Sequence, residues 1–133
     1  MIPQVAVLNL SQFENFYYSD EYCETNDEIN SINANEFNSL YKAKPNKILL
    51  IDVRENEEFS TSAIEGSISI PLSHLNQESD LKFIQKESLN KEVFTICKSG
   101  KRSEKASRIL SKFKIQSRSI EGGIEKVKKV LCN

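Results

Sequence analysis

The chain has 133 residues and a mass of 15.2 kDa, enough for one compact core and too little for two, so one active site is the default expectation. Apolar residues make up 38% and charged residues 28%, and the formal net charge is -1. No overall field exists to hold nucleic acid or an anionic membrane, so electrostatic features must be local. The longest apolar runs, 5–8 and 48–51, fall far short of the ~20 residues of a membrane helix, and the first ten residues carry no basic segment of a targeting signal.

Residues 1–30 differ from the rest. After a short apolar start they mix acidic and aromatic residues without helical or strand period, which reads as an arm or linker ahead of a domain spanning 31–133. From Ser31 onward, Phe37, Leu40 and Tyr41 stand at helical spacing behind Asn33 or Asn35 as caps, and Pro45 closes the helix. The continuous apolar run Ile48–Val53 is what a strand covered on both faces looks like, so a central parallel strand is expected there. The stretch 54–66 is polar and ends in Gly66. Ser67–Ile70 then alternates as a short second strand, which Pro71 stops. Leu72, Leu75, Leu81, Ile84 and Leu89 form a broken helical pattern that predicts one or two helices over 72–89.

Val93–Ile96 is a third buried strand. The loop Cys97-Lys-Ser-Gly-Lys-Arg-Ser103 follows it, and then a helix with Ala106, Ile109, Leu110 and Phe113 at i, i+3, i+4 and i+7. Ser117–Ile120 makes another short strand, Gly122-Gly123 turns the chain, and Ile124, Val127 and Leu131 stripe a terminal helix. Strands alternating with helices predict an α/β fold with a mostly parallel sheet.

Three cysteines, Cys23, Cys97 and Cys132, form no CxxC pair and no metal-ligand spacing. They fit a reducing compartment with a free thiol, and neither a metal nor another cofactor is expected. Abundant Asn, Lys and Ile point to an AT-rich coding genome, bacterial or organellar, so the expected location is the cytoplasm, or the plastid stroma for an organelle-encoded chain.

Cys97 stands where parallel α/β sheets bind ligands, just past the carboxyl end of a strand. Backbone N–H groups of a short loop, the start of a helix and the cations Lys98, Lys101 and Arg102 converge on it, which favours the nucleophilic thiolate. Gly100 supplies backbone freedom. Two plainer readings stay open: a small buried cysteine beside a solvated helix start, and a phosphate nest in which the cysteine is incidental.

Four blocks carry a resemblance: Asp52-Val-Arg-Glu-Asn-Glu-Glu-Phe59, Ile64-Glu-Gly-Ser-Ile-Ser-Ile-Pro-Leu72, Cys97-Lys-Ser-Gly-Lys-Arg-Ser103 and Glu121-Gly-Gly-Ile124. In this order, over roughly 31–131, they resemble the signatures of rhodanese-type sulfurtransferase domains. The resemblance implies a three-layer fold with a sheet of about five strands. It also implies that Cys97 accepts sulfur from a small donor such as thiosulfate, or from a protein persulfide, and hands it on. By the same resemblance Lys98, Ser99, Gly100, Lys101, Arg102 and Ser103 form the binding loop for the anionic outer sulfur, with Arg102 helping to bind donor or acceptor. Cysteine-dependent phosphatases of related architecture place their arginine six positions after the cysteine. Arg102 follows Cys97 by five, which is similar to the tighter sulfur-transfer loop and disfavours phosphatase or arsenate-reductase chemistry.

Asp52 and Arg54, at the end of the central strand, are expected to order the loops as an ion pair rather than to touch substrate. His74, the only histidine, fits a surface or capping role, since a preformed thiolate needs no base. The sequence departs from the family in having Ala63 where histidine is common and no tryptophan after Ile124. The arm from Phe13 to Cys23 is similar to the connector that precedes this domain in molybdopterin-synthase adenylyltransferases of the MoeB/ThiF type. That likeness implies a ubiquitin-like sulfur carrier or an adenylyltransferase as partner, in molybdopterin or thiamine-type sulfur-carrier biosynthesis. With no GxGxxG loop and no CxxC pairs, the chain itself would be the sulfur-donating half only. A non-catalytic protein-binding module on the same fold is the competing expectation.

Overall fold

The computed structural model describes residues 30–131. All but the last residue of the arm or linker expected over 1–30, together with Cys23, Cys132 and the side chain of Leu131, lie outside the described residues. In chain order the elements are β1 (Ser31–Ile32), α1 (Ala34–Ala43), β2 (Ile48–Asp52), α2 (Asn56–Thr61), β3 (Ile68–Ser69), α3 (Glu78–Glu87), β4 (Glu92–Ile96), α4 (Lys101–Lys112), β5 (Ser117–Ile120) and α5 (Gly123–Leu131), with 3-10 turns at Pro45–Lys47 and Leu72–His74. The five strands form one sheet in the order β1-β5-β4-β2-β3, and every adjacent pair is parallel. This is the expected α/β fold with helices on both faces.

The continuous apolar strands explain the layering, because alternate residues of β2 and β4 feed opposite faces. Leu49, Ile51, Val93 and Cys97 pack with Leu81 and Ile84 of α3 and Ala106, Ile109 and Leu110 of α4. Ile48, Leu50, Phe94 and Ile96 pack with Ala34 and Phe37 of α1 and Ile124 and Val127 of α5. Asn33 caps α1 as expected, its side chain accepting the Glu36 N–H at 2.8 Å. Phe37 stacks on Tyr41 with centroids 5.1 Å apart and meets Phe94 edge-on at 5.2 Å.

Three differences from the sequence expectations have physical causes. α2 forms in the polar stretch because Glu55 and Glu58 make a reciprocal capping box, an unusual use of glutamate at the cap. The stretch shows no apolar stripe because α2 buries no residue fully. β1 is only two residues long and exists through its pairing with β5, Ser31 opposite Ser119 and Ile32 opposite Ile120. Between 72 and 89 the chain makes a 3-10 turn and then α3, which ends at Glu87. Leu89 therefore falls beyond the helix and is 66% exposed.

Candidate active site

Parallel pairing places the carboxyl ends of β2 and β4 side by side, with Asp52 opposite Ile96. The Val53 N–H donates to Ile96 O at 3.0 Å and extends the ladder past the strands. Two loops therefore leave the sheet together, one through Asp52 and Arg54, the other through Cys97.

Cys97 follows β4 directly, and its thiol is wholly buried. The loop turns back on itself at Gly100, whose φ of 110° lies in the region that favours glycine and which also caps α4. This turn aims two backbone donors at the sulfur: Gly100 N–H at 3.0 Å and Ser103 N–H at 3.3 Å. The thiol in turn donates to Ser103 Oγ at 3.6 Å. Ser103 is fully buried; Lys98, Ser99 and Lys101 are exposed on the outside of the loop. The sulfur thus sits in a pocket made by main-chain amides, with cationic side chains around the rim rather than in contact.

The base of the loop is held from behind by α5. The Ile124 N–H donates to Cys97 O at 2.8 Å, an approach that Gly123 permits, since a Cβ there would lie 2.1 Å from Lys98 O and 2.5 Å from Cys97 O. Gly122-Gly123 makes the expected turn and also lets α5 dock against the peptide between Cys97 and Lys98.

Two ion pairs brace the loops. Arg54 and Asp52 are both buried and joined by hydrogen bonds from Arg54 Nε at 3.0 Å and Nη2 at 2.9 Å. Arg54 Nη2 also donates to Ser62 O, which ties the β2 loop to the end of α2. Arg102 is gripped by Glu58 of α2, with Nη1 to Oε1 at 2.8 Å and Nη2 to Oε2 at 3.2 Å. The Arg102 hydrogen bonds first, and then the backbone N–H of Glu55, hold the Glu58 carboxyl down at about 2. The same pair raises Arg102 further. His74 lies exposed on its 3-10 turn.

Beside the loop, α2, Lys98 and the first turns of α5 enclose a cleft of about 440 Å³ with Arg54 on its wall and both charge signs at its edge, Glu57 and Glu125 against Lys98 and Lys128. A larger cleft, about 600 Å³, lies at the opposite ends of β4 and β5, and no residue singled out from the sequence lines it. Among the described residues no His, Cys, Asp and Glu side chains gather into a group able to hold a metal ion. No helix among them is long and apolar enough to cross a membrane.

Sequence reasoning did not supply Glu58, nor Thr95, whose Oγ1 donates to Ser103 O at 3.0 Å, nor Ser119, whose Oγ lies 2.7 Å from Ser103 Oγ. Glu58 was marked by its spacing from Glu55. Thr95 and Ser119 carry no local signal, because their partners come from α4.

The family profile for the rhodanese-like domain matches residues 33–130. The adenylyltransferase and sulfurtransferase UBA4 of Yarrowia lipolytica is 31% identical over 97 residues, 73% of this chain and 23% of that protein. The adenylyltransferase and sulfurtransferase MOCS3 of Drosophila virilis is 33% identical over 75 residues, 55% of this chain and 16% of that protein. The chain therefore spans less than a quarter of the length of these curated relatives. A rhodanese-related protein from Thermoplasma volcanium has a similar structure, with TM-score 0.63 at 32% identity over 76% of this chain and 92% of that one. The parallel sheet, the cysteine loop at its carboxyl end and these matches agree: the chain belongs to the family of rhodanese-like domains, among relatives that include sulfurtransferases.

Proposed function

We propose that this domain is a sulfurtransferase that carries sulfane sulfur as a persulfide on Cys97. The single observation that carries the reading is the pair of main-chain donors, Gly100 N–H at 3.0 Å and Ser103 N–H at 3.3 Å, aimed at one sulfur atom past a parallel strand. Donors fixed in this way stabilise negative charge without reorganising, both on the thiolate and on the outer sulfur of a persulfide. With thiosulfate as donor, the Cys97 thiolate attacks the outer sulfur. A new S–S bond forms, the donor S–S bond breaks, and sulfite leaves with the bonding electron pair. An acceptor nucleophile then takes the outer sulfur, and the Cys97 thiolate is restored.

In this reading Lys98, Ser99, Gly100, Lys101, Arg102 and Ser103 form the loop that holds the anionic sulfur, and Lys98 and Lys101 draw anionic donors to its rim. Arg102 acts from its pair with Glu58, fixing the first turn of α4. Asp52 and Arg54 brace the neighbouring loop. The combined adenylyltransferase and sulfurtransferase names of two relatives support a partnership with an adenylyltransferase. Two further relatives, named as a putative sulfur carrier protein of Bacillus subtilis and a probable molybdopterin-synthase adenylyltransferase of Gracilaria tenuistipitata, support a carrier-protein acceptor and a place in molybdopterin-type sulfur-carrier biosynthesis. Residues 1–30 then serve as an arm ahead of the domain, which works in the cytoplasm or a plastid stroma.

Incubation with thiosulfate, followed by intact-mass measurement, is expected to add one sulfur atom to the protein and none to Cys97→Ser. No adduct with thiosulfate or with a protein persulfide would sink the reading. The complete burial of Cys97 favours a second one, a non-catalytic module that binds a protein partner through the basic loop. That version predicts partner capture unchanged in Cys97→Ser, and cyanide-dependent thiocyanate formation would exclude it.

A further inference from the structure

We infer that Ser119 is a positioning residue for Cys97, acting through the hydroxyl of Ser103. The inference rests on the reading of Cys97 as the working nucleophile and adds a residue outside the signature loop. Ser119 lies on β5, 1% exposed, with its Oγ 2.7 Å from Ser103 Oγ. Ser103 Oγ is in turn 3.0 Å from Gly100 O and 3.6 Å from Cys97 Sγ.

A hydroxyl has one proton to give and two lone pairs to fill. While Cys97 is a thiol, its S–H points at Ser103 Oγ, and Ser103 gives its own proton to Gly100 O. Once the sulfur is an anion it has nothing to donate and needs donors. The Ser103 proton can then turn to the sulfur, which leaves the Ser103 oxygen without the thiol as a donor. Ser119 is the donor that stays: with the single Ser103 proton on Gly100 O or turned to the sulfur, the 2.7 Å contact is made by the Ser119 O–H in both states. That bond polarises the Ser103 O–H toward the sulfur, as hydrogen bonds in a chain strengthen one another. In a site closed to water no solvent molecule replaces it. Thr95, directly opposite Ser119 in the sheet, holds Ser103 O at 3.0 Å. Ser103 is therefore fixed at its carbonyl by one strand and at its hydroxyl by the next. The neighbouring pair Ser107 and Ser117, 2.8 Å apart, belongs to the same buried interface of α4 and the sheet but reaches Ser103 only at its carbonyl, through Ser107 Oγ and Thr95 Oγ1 2.9 Å apart, and so provides an internal control for the route through the hydroxyl.

The test titrates the ultraviolet absorbance of the Cys97 thiolate, taken for each protein as the difference from the matching variant that also carries Cys97→Ser. In Ser119→Ala, the ionised fraction at a fixed pH below the midpoint is expected to fall about three- to tenfold, the equivalent of one net hydrogen bond. Ser117→Ala should titrate as the unaltered protein does. Ser119→Thr, which keeps the hydroxyl, should restore the unaltered curve and keeps the inference open to refutation if the alanine variant does not fold. In a Ser103→Ala background, adding Ser119→Ala should change nothing further, because the effect passes through Ser103. An unchanged curve in Ser119→Ala, a displaced one in Ser119→Thr, or an undiminished Ser119 effect without the Ser103 hydroxyl would each overturn the assignment. No sulfur donor enters the titration, so it stands apart from the mass test: a shifted curve with no sulfur adduct would refute sulfur transfer and leave the Ser119 assignment standing.

Discussion

The two loops that leave the sheet together are built on opposite plans. Around Asp52 and Arg54 the chain buries two full charges and binds them to each other. Around Cys97 it buries a sulfur and surrounds it with main-chain N–H groups and hydroxyls, leaving Lys98 and Lys101 outside. The first arrangement depends on which side chains are present, because removing either charge strands the other in a medium that cannot solvate it. The second depends on where the backbone goes, so its weak points are glycines and hydroxyl-bearing residues rather than the cations that draw attention in the sequence.

The contrast breaks most sharply at Asp52. Asp52→Ala leaves the Arg54 guanidinium buried without its carboxylate and is expected to cost about 3–5 kcal/mol, read as a lowered midpoint in urea unfolding. Gly123→Ala strikes the other loop through its backbone. The new methyl would meet Lys98 O, and φ at this position is 72°, so overpacking and strain together should cost about 2–4 kcal/mol. In the surviving folded fraction, sulfur loading should fall as well, a loss that Asp52→Ala should not show per folded molecule. Gly100→Ala has room for its methyl, the nearest atom being 3.5 Å away, but not the favoured backbone angle. We expect about 1–2 kcal/mol of destabilisation and at least about tenfold slower persulfide formation, as an amide turns off the sulfur.

The smallest effect belongs to Glu58→Gln. The pair with Arg102 is partly exposed, so at neutral pH its loss should cost under about 1 kcal/mol. The acid limb is more telling. Glu58 is held at about 2 against an ordinary 4.5, so its contribution is complete above 4.5 and fades as pH falls toward 2. Thermal melts over that window should show the unaltered protein losing stability more steeply than Glu58→Gln.

The sequence was most legible where a residue's structural partners are its chain neighbours or its own periodicity. β2 and β4 declare themselves as unbroken apolar runs, α4 and α5 by their stripes, and the Cys97 loop because cysteine, glycine and the α4 start adjoin one another. What stayed hidden depends on distant residues. β1 is a strand only because β5 lies beside it. Glu58 finds Arg102 across 44 positions of sequence. Ser117 and Ser119 look like a weak, polar strand until α4 brings Ser103 and Ser107 down on them. α2 was concealed for another reason: it buries no residue fully and so leaves no apolar rhythm to detect.

The bond from Ile124 to the carbonyl of Cys97 makes the last helix of the domain a partner of the cysteine's own peptide. The same helix lends Ile124 and Val127 to the core that holds β2 and β4. Truncation ahead of Gly123 would therefore remove the brace behind the thiol together with part of the packing that carries its strand.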